Sequence, residues 1–150
     1  MSAPQTHEPA RQLGLLLMSG QQWVMTSLLR LMEERGHVNL NASHLTFLSN
    51  LDCGDTYASA VARRMGVSRQ AVYRSTRELQ RLNILKLETD ETRKTQKIIR
   101  MTKLGQKIVM DARACLNTIE NALSERIGER ALATLVANLS RDWGPPLSGD

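Results

Sequence analysis

The segment from Asp55 to Asn83 constrains this chain more than any other. It reads as two short helices joined by a tight turn, the second helix carrying an unbroken basic face. Ser68 stands where an N-cap belongs, and Val67 before it is spaced to pack on Val72 as a hydrophobic staple. Projected around a helix, Arg69, Gln70, Tyr73, Arg74, Arg77, Gln80 and Arg81 fall within one arc of about 140°, with no aliphatic residue among them. Ala71, Val72, Ser75, Thr76, Leu79 and Leu82 form the opposite arc, which suits a small core. One side is built for burial and the other for a polyanion.

The preceding helix carries Ala58, Val61, Ala62 and Met65 at i, i+3, i+4 and i+7, with Asp55 expected as its N-cap. The linking turn is Met65-Gly66-Val67-Ser68, where Gly66 supplies the left-handed conformation that a sharp helix-to-helix turn requires. A plain helical hairpin with a solvated face is the alternative, but such a face normally mixes charge signs. The distribution of charge agrees with the first reading. Between Asn41 and Thr102 there are eleven basic and six acidic residues, an excess of five that equals the formal net charge of +5 for the whole chain. The flanks balance, so the positive charge sits where a nucleic-acid footprint would be.

The rest of the chain organises around this segment. Pro4 and Pro9 mark an N-terminal arm, followed by a helix expected from about Arg11 to Glu34, with Leu13, Leu16, Leu17, Val24, Leu28, Leu31 and Met32 on a wide apolar face and Gly36 ending it. A short helix starts at Asn41, with Leu45, Leu48 and Leu51 inward, and is expected to run to Cys53-Gly54. His44 on that helix is read as a surface or interface residue. Asn83 occupies a left-handed cap position, and two extended runs, Ile84 to Glu88 and Lys97 to Met101, flank a polar stretch that reads as a hairpin tip. A hairpin there is a wing. Thr102 then caps a helix of about 25 residues with one long apolar stripe, and Gly128 separates it from a last helix carrying Leu132, Leu135, Val136, Leu139 and Trp143, stopped by Gly144-Pro145-Pro146.

The expected fold class is mainly α with a small β-hairpin wing. The expected organisation is an arm and dimerisation helix over residues 1–40, a winged helix-turn-helix lobe over 41–102 and dimerisation helices over 103–150. The terminal helices are more apolar than the middle lobe can cover, which points to a second copy of the chain and an isologous dimer.

Several function classes are disfavoured. The apolar run Leu13 to Met18 is too short to span a bilayer, and a cytoplasmic protein that does not engage membranes is expected. Cys53 and Cys115 form no C-x-x-C pair, the three histidines make no metal cluster, and there is neither a glycine-rich phosphate loop nor a nucleophile-base-acid set. No catalytic residue, metal or cofactor is therefore expected.

Three motifs in order resemble the MarR (multiple antibiotic resistance regulator) family of winged helix-turn-helix transcription regulators. They are Val61-Ala62-Arg63-Arg64-Met65-Gly66-Val67-Ser68-Arg69-Gln70-Ala71-Val72, then Leu79-Gln80-Arg81-Leu82-Asn83-Ile84-Leu85, then Met101-Thr102-Lys103-Leu104-Gly105. The last is similar to the family's Leu-Thr-x-x-Gly before its long helix. The resemblance covers about Leu13 to Trp143. Two departures stand out: Asn83 replaces a common glycine, and Arg93-Lys94-Thr95 occupies the place of the family's wing Asp-x-Arg.

The resemblance implies a homodimer that binds double-stranded DNA at a pseudo-palindromic operator and represses until a small ligand releases it. Ser68 would start the reading helix, with Arg69, Gln70, Tyr73 and Arg74 nearest base edges and Arg77 and Arg81 on phosphates. Arg93, Lys94 and Lys97 would follow the backbone or enter the minor groove. A small aromatic or phenolic effector would sit between the DNA-binding lobe and the dimer helices, where Trp23, His44 and Phe47 are candidate lining residues; core packing accounts for Trp23 and Phe47 equally well. The family's other mode, thiol-based oxidant sensing, would fall to Cys53. A winged-helix module that binds protein or RNA without reading an operator is the reading from another class.

Overall fold

The computed structural model describes residues 12–149. Along the chain the elements are α1 (Leu13–Glu34), α2 (Ala42–Ser49), β1 (Thr56–Tyr57), α3 (Ala58–Met65), α4 (Arg69–Arg81), β2 (Leu85–Thr89), β3 (Lys97–Met101), α5 (Lys103–Ile127) and α6 (Glu129–Leu139). The fold is mainly helical with one small antiparallel sheet, as expected. The N-terminal arm and Arg11 lie outside the described residues.

The local signals that hold are those with a specific hydrogen bond or backbone angle behind them. Ser68 Oγ accepts from the Ala71 amide at 3.1 Å and starts α4, and Thr102 Oγ1 accepts from the Gly105 amide at 3.0 Å and starts α5. Asn41 caps α2 by accepting from the His44 amide at 2.9 Å. Gly66 has φ 64°, and Asn83 is the one residue other than glycine with positive φ among those described, at 58°. Each closes a helix at the position its residue type favours.

Other expectations need correction. Asp55 does not cap α3; Tyr57 precedes the first helical residue without a side-chain cap bond, because Thr56 and Tyr57 are drawn into a strand beside β3. That strand leaves no trace in the sequence pattern, being two residues long. α2 ends at Ser49, short of Cys53-Gly54, and α6 ends at Leu139, so Trp143 lies beyond the helix and is exposed. The staple expected of Val67 contributes little, since that residue remains 40% exposed.

The sheet order is β1-β3-β2, with Thr56 and Leu87 both opposite Ile99. Ile99 is buried at the centre of the sheet. One continuous core takes in Leu28 and Met32 of α1, Phe47 of α2, Val61 of α3, Val72 and Leu79 of α4, and Ile108, Cys115 and Ile119 of α5. The first half of α5 and the second half of α1 are thereby packed onto the helix-turn-helix. At the junction, Thr102 donates its hydroxyl to Asn83 O at 2.6 Å and its amide to Ile84 O at 3.0 Å. Gly105 faces the same Ile84 carbonyl so closely that a Cβ would collide with backbone. This close approach explains the glycine in the third motif.

Candidate nucleic-acid interface

α4 turns Val72, Thr76 and Leu79 into the core and leaves Ser68, Arg69, Gln70, Arg74, Arg77 and Arg81 exposed, with Tyr73 half-buried. Thr76 satisfies its buried hydroxyl by donating to Val72 O at 2.8 Å. The basic face is therefore the outward one. Arg93, Lys94 and Lys97 are exposed on the hairpin, and Lys97 Nζ donates to Thr89 Oγ1 at 2.7 Å.

The helix and the hairpin meet. A small cleft of about 40 Å³ is lined by Arg69 and Tyr73 of α4, Lys97, Gln96 and Thr95 of the hairpin, and Ala58 and Ser59 at the start of α3. Residues widely separated in sequence thus form one basic surface. Ala58 and Ser59, at the start of α3, complete the wall of the cleft, a contribution that the spacing of charges alone does not reveal.

Five of the six acidic side chains of this lobe are tied to other groups, while Glu91 stays exposed at the hairpin tip. Asp52 pairs with Arg64 at 3.1 Å, and Asp55 and Glu88 both take Arg100, each at 2.6 Å. Glu78, the single acid of α4, lies 3.0 Å from His44 Nε2. Asp90 is buried at the hairpin tip. Two of the eleven basic residues, Arg64 and Arg100, are consequently internal ties. Among the described residues, Arg69, Arg74, Arg77, Arg81, Arg93, Lys94 and Lys97 make no ion pair.

The tip is organised by Asp90. Its carboxylate accepts from the Thr92 hydroxyl at 2.8 Å, the Thr92 amide at 2.9 Å and the Tyr57 hydroxyl at 2.8 Å. The Thr92 and Tyr57 bonds hold its pKa down to about 2, and the same contact pushes the Tyr57 phenol up. The bond to Arg100 likewise lowers the Asp55 carboxyl. An acid absent from the usual wing position is present three residues before Arg93, tied inward to β1.

A second site lies apart from this surface. A cavity of about 470 Å³ opens between Leu28 of α1, Leu45, Leu48 and Ser49 of α2, Leu51, Asp52 and Cys53 of the following loop, and α5 residues from Gln106 to Leu116. Its walls are largely apolar. Arg113 is the cationic member and donates to Cys53 Sγ at 3.6 Å.

Trp23, His44 and Phe47, the candidate lining residues, are not in its wall. Phe47 is in the core, and half-buried Trp23 packs on the core with Arg126 5.7 Å from its ring centroid. His44 is buried rather than on the surface, because its ring accepts from the Asn41 amide in the capping box and faces Glu78. Leu45 and Leu48, its neighbours on α2, reach the cavity instead. Cys53 is exposed and Cys115 is buried against Met32 Sδ at 3.8 Å.

No family model matches this sequence, and no curated protein does. Solved structures match its fold over most of its length. The repressor CouR bound to a 23-mer DNA duplex superposes with a TM-score of 0.71 at 21% identity, over 93% of this chain and 100% of that one. A mutant of MarR from E. coli complexed with operator DNA gives 0.69 at 16% identity, over 85% and 90% of the two chains. CouR from Rhodococcus jostii RHA1 bound to p-coumaroyl-CoA gives 0.65 at 18%, over 88% and 93%. In element order, wing and long closing helices, this chain has the winged helix-turn-helix fold of the MarR-family transcriptional regulators.

Proposed function

We propose that the protein is a dimeric, sequence-specific DNA-binding transcriptional regulator, acting as a repressor that a small ligand releases. The observation that carries this reading is the row of arginines along the outer face of α4, without ion-pair partners among the described residues and continuous with the basic hairpin. A surface whose acids are all but removed, beside a helix with its apolar side buried, suits the major groove and the phosphates on either side of it. Arg69, Gln70, Tyr73 and Arg74 face base edges, Arg77 and Arg81 phosphates, and Arg93, Lys94 and Lys97 the backbone or minor groove.

Dimerisation is supported by the apolar surface left open at both chain ends. Leu13, Leu16 and Met18 of α1 are exposed, and α6 buries no residue at all although it carries Leu135, Val136 and Leu139. A second copy is the natural cover for such faces. The cavity supports effector binding, its volume being within the usual range of small-molecule sites, roughly 300–1,000 Å³. An aromatic or phenolic compound fits the apolar walls. We read the protein as a cytoplasmic binding protein rather than an enzyme; among the described residues no helix is long and apolar enough to cross a membrane.

Selection of bound duplexes from a randomised library at two salt concentrations tests the reading. An enriched inverted repeat with half-sites about 10 base pairs apart and a steep salt dependence is the expected result. Retention without enrichment would replace operator reading by non-specific binding, and no retention would favour a protein- or RNA-binding module.

A further inference from the structure

The loop that walls the cavity continues directly into the strand that holds the wing. Leu51, Asp52 and Cys53 line the cavity, and Thr56 and Tyr57 pair with Ile99 and Ile98 of β3. Between them Asp52 and Asp55 are each tied down. The Asp52 amide donates to Thr56 Oγ1 at 2.9 Å, and Thr56 is buried. Asp55 accepts from Arg100 Nε and Nη2 at 2.6 and 2.9 Å, and Arg100 Nη1 reaches Glu88 across the hairpin. Tyr57 then donates to Asp90, the residue that organises the tip.

We propose that segment 51–57 couples occupancy of the cavity to the position of the wing, with the hydrogen bond from Tyr57 to Asp90 as its final link. This rests on the reading of the cavity as an effector site. On the cavity side the loop is held to α5 through Arg113 and the Cys53 thiol at 3.6 Å, and a thiol sulfur is a weak acceptor. An oxygen anion on a ligand is a far better partner for that guanidinium and takes it from Cys53. The freed loop carries β1 with it, since the Asp52 to Thr56 bond and the strand pairing are left intact. The tip between Thr89 and Gln96 has no apolar anchor of its own and is closed by local hydrogen bonds such as Asp90 N to Gln96 O at 3.0 Å, so the Tyr57 bond to Asp90 is what fastens it to β1. A single element is then biased by both sites, which is the physical requirement for coupling. Linkage makes the effect reciprocal: DNA held by the wing weakens ligand binding by the same factor.

The test uses the full chain and 1-anilinonaphthalene-8-sulfonate, an aromatic anion matched to an apolar cavity with one arginine, and reads amide hydrogen exchange over residues 89–97. Saturating probe is expected to accelerate exchange in the wing about fivefold. In Tyr57→Phe the link is already broken, so by the same reciprocity the probe binds up to about fivefold more tightly and its effect on the wing is lost. Thr56→Val, which removes the Asp52 acceptor, loses the effect as well, and Thr56→Ser restores it. An undiminished response in Tyr57→Phe and Thr56→Val, or no response in the parent protein with the probe bound, overturns the coupling and leaves the effector reading standing. No probe binding, or binding that survives the cavity-filling Leu116→Trp, overturns the effector reading and the coupling with it.

Discussion

Arg74 and Arg77 stand one turn apart on the same exposed face of α4, yet their losses are expected to differ. On the proposed reading Arg74→Ala removes a base-edge contact, so operator affinity is expected to fall by about 1–3 kcal/mol and preference at one base position to relax. On the same reading Arg77→Ala removes a phosphate contact; affinity is expected to fall for all sequences, and the slope of log K against log salt to drop by about 1. Fluorescence titrations over a salt series separate the two. A different residue-scale device is Asp111 of α5, which takes Lys107 Nζ at 2.6 Å, His37 Nε2 at 2.7 Å and Arg35 at 3.3 Å. The Lys107 and His37 bonds hold its pKa down to about 2 from 3.8. A carboxylate depressed in the folded state contributes stability that is complete above its unfolded pKa and is lost as pH falls through the folded one. Asp111→Asn is therefore expected to lower the melting temperature at neutral pH, with the gap to the parent closing between about pH 4 and pH 2. Thermal melts across that range measure it.

At the scale of elements, the reading helix is set by its start and by the junction behind it. Ser68→Ala loses the cap bond to Ala71 and should cost about 1 kcal/mol, read as a shifted urea midpoint with unchanged slope. Gly105→Ala is expected to be worse for a change of one methyl group. Its Cβ meets the Ile84 carbonyl, so α5 must lift from the end of α4, at a cost of about 1–3 kcal/mol. The shift also alters how the long helix carries the reading helix. DNA affinity should then fall by more than the fraction unfolded accounts for, which binding measured well below the melting temperature reveals. The proposed coupling between cavity and wing belongs to this scale too, because a two-residue strand ties the loop beside α2 to the hairpin.

For the whole molecule, the open apolar faces of α1 and α6 are what the proposed dimer would cover, bringing two copies of α4 to one DNA. Val136→Glu with Leu139→Glu places two charges on the exposed face of α6 and is expected to give a monomer in sedimentation equilibrium. Its operator affinity should fall by at least about 100-fold, since the second half-site is no longer held by the first. The sequence by itself determined the helix-turn-helix, the cap residues Asn41, Ser68 and Thr102, the left-handed Asn83 and the basic arc of α4. All of these are local: a periodicity or a side chain bonding to an amide three residues away leaves its mark in consecutive letters. Only the tertiary structure decided that Asp55 serves Arg100 instead of a helix end, that His44 is buried against Glu78, that Asp90 anchors the wing through Tyr57, and that the cavity is walled by Leu45, Leu48 and α5 rather than by Trp23 and Phe47. Those facts depend on contacts between residues 33 to 60 or more positions apart, such as Tyr57 with Asp90 and Cys53 with Arg113, and no local propensity specifies them.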